Sequence, residues 1–264
     1  MGHFMIKENK PLILVTNDDG VYAPGIYALY KAMKEIGEVH VVAPESEQSA
    51  VGHALTISDP LRVRKVDRYG HDFGHAVNGT PADCVKLAVK ALLNKKPDLV
   101  VSGINQGPNT AINVIYSGTV SAATEGTLMG IPSMAFSLAS FRISDFRFAA
   151  KFAKHLVSKI MQDGLPLGTL LNVNIPALPE EQIKGVKVTR QGEGRYEEYF
   201  EKRVDPMNRN YYWLAGKKLQ LDNESDVDDV AVMEKYIAIT PIQFDLTDYK
   251  VLKKLQEWHI GLPE

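Results

Sequence analysis

The sequence predicts an α/β fold: a doubly wound, mostly parallel sheet followed by a β-rich C-terminal extension. Three observations carry this. Short apolar runs alternate with helix-periodic segments through the first two thirds of the chain. The first run, Leu12–Thr16, is apolar almost throughout, as a parallel strand buried on both faces would be. Near residue 185 the alternation gives way to polar, aromatic, strand-like sequence.

Taken in order, Gly25–Ile36 places Ile26, Leu29, Met33 and Ile36 at helical spacing. Val39–Ala43 reads as a second strand. Leu61–Val66 alternates, so it is expected at an edge. Pro81–Leu93 is a helix with Thr80 as N-cap, Pro81 in its first turn and Asp83 as the acid at the third position. Leu99–Ser102 is a strand, Val120–Met129 a helix, Ser133–Ser137 a strand, Phe146–Met161 an amphipathic helix and Leu170–Ile175 a strand. Beyond 185, "VKVTRQGEGRYEEYFEKRVDPMNRNYYWLAG" has turns at Gly192–Gly194 and Asp205–Asn208. It cannot bury itself and reads as a protruding hairpin or arm packing on a partner subunit. "LDNESDVDDVAVME" lacks the glycine of a calcium loop and reads as a solvated loop leading into a helix. "YIAITPI" is the last strand and Tyr249–Trp258 the last helix.

The composition sets bounds. The 264 residues are 45% hydrophobic and 23% charged, enough for a sizeable core. A net charge of −2 gives no global field to recruit a nucleic acid polymer or a membrane surface. The one cysteine, Cys84, excludes an intrachain disulfide and a Cys-based zinc site; it reads as a small buried helix residue. Lys7, Glu8 and Lys10 interrupt any signal-peptide core, and no run approaches the roughly 20 apolar residues of a membrane span. The expectation is a soluble, cytoplasmic protein.

Ligands of open α/β sheets bind beyond the carboxyl ends of the strands. Those ends carry Asn17, Asp18 and Asp19; then Ser49 and His53; then Asn105 and Asn109; then Ser117, Gly118 and Thr119 ahead of a helix. Two carboxylates with amide and hydroxyl oxygens form a hard donor set, suited to Mg²⁺, Mn²⁺ or Ca²⁺. The "SGTVS" start of a helix offers backbone N–H groups to an anion. Cation site and phosphate seat together suggest metal-assisted phosphoryl chemistry. Taken singly, each motif also has a plain reading, as a turn or an N-cap. His53 follows a glycine in a loop and could contact substrate. No GxGxxG, P-loop or GxSxG motif is present.

Five ordered blocks, "LVTNDDG", "VVAPESEQSAVGH", "NGTPADCVKLA", "DLVVSGINQGPN" and "YSGTVSAATEG", closely resemble the SurE stationary-phase survival family. "LNVNIP", "VTRQG", "YYWLAG", "DVDDVAV" and "AITPI" extend the resemblance over nearly the whole chain. It implies a divalent-metal-dependent 5′-nucleotidase acting on nucleoside monophosphates, with 3′-nucleotides and short polyphosphate as further substrates. It implies metal ligands Asp18, Asp19, Ser49 and Asn105, and a phosphate pocket of Asn17, Asn109 and Ser117–Gly118–Thr119. Asp18, Asp19 and Asn17 would be the catalytic group, acting with metal-activated water. The family often has His before "SGTV", where this chain has Tyr116, so no histidine role carries over there. A Rossmann-like core over 1–185 is implied, with 186–264 as an extension of the same unit exchanged between subunits in a homodimer or homotetramer.

The rivals are a receiver-like Mg²⁺-binding signalling module and a nucleotide-binding regulator without turnover. A receiver also places an acidic pair after the first strand, but needs a phosphoacceptor Asp at a later strand end and a Lys beyond. The matching strand end offers Ser102, Gly103 and Asn105, and "IPSMAFSLAS" has no Lys.

Overall fold

The computed structural model of the protein describes residues 10–142, 145–258 and 260–262. The N-terminal segment 1–9 in the signal-peptide argument lies outside them. The central strands are β1 (Leu12–Thr16), β2 (Glu38–Pro44), β5 (Leu99–Gln106), β6 (Ser133–Ala139) and β7 (Thr169–Pro176), all parallel, in the order β2-β1-β5-β6-β7. Strand order reverses between β1 and β5, the topological switch point where such sheets bind ligands.

The alternation of side chains along β1 explains its unbroken apolar run. Ile13 and Val15 point into one core with Leu29, Met33 and Phe136, while Leu14 points into the other with Val42, Val85 and Val100. Helices α1 (Pro24–Lys34) and α4 (Arg147–Asp163) cover the first face. Helices α2 (Pro81–Leu87) and α3 (Gly118–Leu128) cover the second. Gly25 permits the close seating of α1: a Cβ there would lie 1.9 Å from the Ile104 carbonyl oxygen on β5.

Several elements depart from the sequence reading. The edge strand is β3 (Val63–Arg68), as expected, but it pairs with β4 (His71–Val77), a strand that the sequence reading does not contain. Its "HDFGHAV" hides the period of a strand behind a glycine. Gly74 sits at φ +150°, and a Cβ there would meet the Val41 carbonyl at 2.3 Å. α2 ends at Leu87 and continues as a π-helical turn, Ala88–Leu92. β5 runs on to Gln106 through a register shift between Ser102 and Asn105. Cys84 is buried on α2.

The C-terminal third is divided. β9 (Arg195–Val204) and β10 (Asn210–Leu219) form a separate antiparallel hairpin, and all ten residues of β9 are exposed. β8 (Gly185–Val188) and β11 (Tyr236–Gln243) instead complete the nine-stranded sheet, β11 antiparallel to β7 and parallel to β8. The "DVDDVAV" stretch is not a solvated loop throughout: Asp228 and Asp229 are buried at the start of α5 (Asp228–Met233). The last helix, α6 (Tyr249–Gln256), is exposed along its length. No helix among the described residues is long and apolar enough to cross a membrane.

Candidate functional site

β1 delivers Asn17, Asp18 and Asp19 to the carboxyl edge of the sheet, where Gly20, at φ +96°, turns the chain away. Asp18 is 4% exposed and accepts a hydrogen bond from the Thr119 hydroxyl. Gly118, at the head of α3, packs directly on it, since a Cβ there would lie 2.7 Å from the Asp18 Cβ. Asp19 is half-buried and accepts from the Gln106 N–H at 3.2 Å. The backbone of the Ser49 loop is fastened to the same place, the Gln48 N–H donating to the Asp18 carbonyl at 2.7 Å.

Burial raises both carboxyls. Asp18 lies above its ordinary value, and Asp19 is pushed up to about 7 by desolvation and then by the charge of Asp18. The charge of Glu47 adds to both. Among the described residues, no Lys, Arg or His acts on either carboxyl. The Asn17 Nδ2 donates to the Gly20 carbonyl at 2.9 Å, while its Oδ1 is buried with no partner among the described residues. Two carboxylates without a countercharge among the described residues are what a hard divalent cation would satisfy. Among the described residues no group of three His, Cys, Asp or Glu could hold a metal, so amide and hydroxyl oxygens would have to complete the shell.

A cleft of about 270 Å³ opens here, lined among others by Asp18, Ser49, Asn105, Asn109 and Ser117. A larger surface hollow of about 640 Å³ lies elsewhere, between the start of α4 and Ala177–Glu181, and holds none of these residues. Asn105 donates its Nδ2 to the Gly107 carbonyl at 2.8 Å, leaving its Oδ1 as an acceptor. Ser117 caps α3, its Oγ accepting from the Val120 N–H at 3.1 Å. Ser49 is exposed and donates to Glu47 at 2.5 Å.

His53 stands apart from the cleft lining. Its Nε2 lies 3.0 Å from the buried Glu125 carboxylate of α3, which also pairs with Lys86 at 2.6 Å. That arrangement ties the Ser49 loop to α3 and α2.

Residues that sequence reasoning passed over hold Asn109 in place. Its N–H donates to Asn174 Oδ1 at 2.8 Å, and its carbonyl accepts from Asn172 and Asn174 at 2.7 and 2.9 Å. Its own Nδ2 donates to Ser137 at 2.9 Å. Two residues on, the Ala111 N–H donates to Asp228 at 2.9 Å and its carbonyl accepts from Gln191 at 2.9 Å. The alternating asparagines of "LNVNIP" were the only sequence signal for this.

Fold and site together define an α/β ligand-binding protein with an acidic, oxygen-lined cleft at its topological switch point. Residues 13–198 match the family model described as Survival protein SurE. The chain is 54% identical over 248 residues to the 5′-nucleotidase SurE of Syntrophobacter fumaroxidans, covering 94% of this chain and 99% of that one. It is 50% identical over 260 residues to the 5′-nucleotidase SurE of Christiangramia forsetii, covering 97% and 100%. The crystal structure of the SurE protein from Aquifex aeolicus superposes with a TM-score of 0.83 at 46% identity, covering 95% and 100%. The chain belongs to the SurE family. The receiver-like reading is not favoured.

Proposed function

We propose that this protein is a divalent-metal-dependent 5′-nucleotidase, a phosphoric monoester hydrolase that converts nucleoside monophosphates to nucleoside and phosphate. The observation that carries the reading is the acidic pair at the switch point, Asp18 buried against the head of α3 and Asp19 half-buried on the Gln106 N–H, with no countercharge among the described residues. The printed names of the curated relatives give the same activity.

Asp18, Asp19, Ser49 and Asn105 would hold the cation, with Mg²⁺ or Mn²⁺ as the expected ions. When bound, the cation supplies Lewis-acid polarisation of the phosphate and offsets developing charge. The chain supplies the rest. Asn109 and Asn17 would orient the phosphate through their amides, and the Ser117–Gly118–Thr119 turn would offer it the Gly118 N–H and the helix dipole, the Ser117 N–H being engaged with the Val114 carbonyl and the Thr119 N–H with Asp18. Asp19, the more open of the two carboxyls, would orient the attacking water and hold its proton. Thr119 holds Asp18 in one orientation.

The exposed hairpin, with Phe200, Tyr212, Trp213 and Leu214 bare, supports a homodimer built by exchange of this arm, with a homotetramer as its further assembly. A free, buried cysteine fits a reducing compartment such as the cytoplasm. The decisive assay is phosphate release from a panel of nucleoside monophosphates and short polyphosphate with Mg²⁺, Mn²⁺ or EDTA. Metal-dependent release from nucleotides is expected; no release with any metal overturns the reading.

A further inference from the structure

The phosphate side of the cleft is made by the two ends of one loop. Asn109 is fastened to the sheet by Ser137 of β6 and by Asn172 and Asn174 of β7. Ser117 is fastened at the head of α3, its carbonyl accepting from the Ser121 N–H at 3.0 Å and from the Ser121 hydroxyl at 2.7 Å. Between them run Thr110 and the 3₁₀ turn Ala111–Tyr116. Asn109, Asn113, Tyr116 and Ser117 all line the cleft, so the course of this turn sets how its two ends face each other.

The turn begins with an unusual backbone. Ala111 is fully buried at φ +53°, in the left-handed region that glycine enters freely and an L side chain does not. Such a residue persists only where its surroundings hold it there, and such positions gather at functional sites. Two groups from far along the chain hold this one. The Ala111 N–H donates to Asp228 Oδ2 at 2.9 Å, and its carbonyl accepts from Gln191 Nε2 at 2.9 Å.

Asp228 is itself fully buried. Its Oδ1 accepts from the Gly192 N–H at 3.1 Å and the Asp229 N–H at 2.8 Å. Among the described residues, no Lys, Arg or His acts on it. A carboxylate buried with no countercharge is unfavourable unless hydrogen bonds satisfy it, and here backbone N–H groups do so. An apolar side chain would fill the same space with less penalty, so packing alone does not account for the residue. What an apolar side chain could not do is keep Ala111 in the left-handed region.

We infer that Asp228 is a positioning residue for phosphate binding: by taking the Ala111 N–H it fixes the pivot of the turn, and with it the placement of Asn109 against Ser117. The inference rests on the nucleotidase reading above and adds to it a residue outside the cleft lining. Gln191 is the second member of the clamp, acting on the carbonyl of the same alanine. Because Gly192 just precedes β9, the Asp228 side chain also joins the root of the hairpin to this pivot.

The test removes the clamp with and without the strain it opposes. Asp228→Asn keeps the size, but both carboxylate oxygens accept N–H groups, so either orientation of the amide turns its NH₂ toward a backbone donor. Asp228→Asn and Gln191→Ala are each assayed on a nucleoside 5′-monophosphate with saturating Mn²⁺, below every melting midpoint, and again combined with Ala111→Gly, with Ala111→Gly alone as the reference. Asp228→Asn is expected to lower kcat/KM by about 10–100-fold, the scale of a small misplacement of a binding group. Inhibition by inorganic phosphate should weaken with it. Combined with Ala111→Gly, the same substitution should lower kcat/KM by about threefold or less, because glycine keeps the left-handed conformation without the clamp. Gln191→Ala should show the same pattern at smaller size, and it carries the test if Asp228→Asn does not fold. A loss of equal size with and without Ala111→Gly, or full activity after Asp228→Asn, overturns the inference. Wild type that releases phosphate from no nucleotide overturns the nucleotidase reading instead.

Discussion

Asp18 is buried against Thr119, whereas Asp19 is half-buried on the Gln106 N–H. The substitution Asp18→Asn keeps the shape and removes the charge. We expect it to lower metal-dependent phosphate release by about 10²–10³-fold, the usual cost of deleting one preorganised electrostatic group; activity near wild type would disprove the assignment. Asn174 is the second residue to change. Asn174→Leu strands the buried Asn109 N–H, at a cost of about 1–3 kcal/mol, visible in the urea midpoint together with a lower kcat/KM. The two aspartates were legible in the sequence because adjacent acids at a strand end are an unusual expense. Asn172 and Asn174 were not, because polar residues alternating in a strand look like an ordinary solvent face; only the fold shows that both are buried on Asn109.

At the level of elements, the start of α2 does two jobs. Thr80 and Asp83 form the capping box foreseen from "TPAD", the Thr80 Oγ accepting from the Asp83 N–H at 3.1 Å and Asp83 accepting from the Thr80 N–H at 2.9 Å. Both also hold the loop that follows Ser49. The Thr80 hydroxyl donates to the Ala54 carbonyl at 2.7 Å, and Asp83 accepts from Thr56 N–H and hydroxyl at 3.0 and 2.6 Å. Thr80→Ala should therefore cost about 1 kcal/mol of stability from the cap and weaken Mn²⁺ binding as well, measured by calorimetry. A melting shift with unchanged metal affinity would limit Thr80 to capping. Local rules made this helix readable. β4 was unreadable because its pairing with β2 depends on Gly74 meeting Val41, a contact the sequence does not mark.

Across the whole molecule, charge and assembly set the expectations. A carboxyl whose folded pKa lies above its unfolded value stabilises fully below the unfolded value and loses that contribution as pH rises through the folded one. For Asp19 the window runs from its ordinary 3.8 to about 7. The EDTA-treated protein should thus lose stability between pH 4 and 7, and the gain in Tm on adding Mn²⁺ should be larger at pH 8 than at pH 5. An equal gain at both pH values would contradict it. The hairpin, readable as an arm from its turns and aromatics, makes an independent prediction. Phe200→Glu with Trp213→Glu should convert a dimer to a monomer by light scattering; dimers that persist would place the interface elsewhere. The sheet was legible through its apolar runs, but the return of β8 and β11 to it was not, since short strands near a chain end carry no mark of their partners.

The hydrogen bond from the Ala111 N–H to Asp228 also orders events in time. Domains assemble from the N-terminus as the ribosome delivers them, at about 5–20 residues per second. Asp18, Asn105 and Thr119 emerge early, but the loop carrying Asn109 awaits the asparagines at 172 and 174, then the carboxylate at 228. A chain cut near residue 200 would contain every side chain of the cleft and the asparagines that hold Asn109, yet lack the carboxylate that takes the Ala111 N–H.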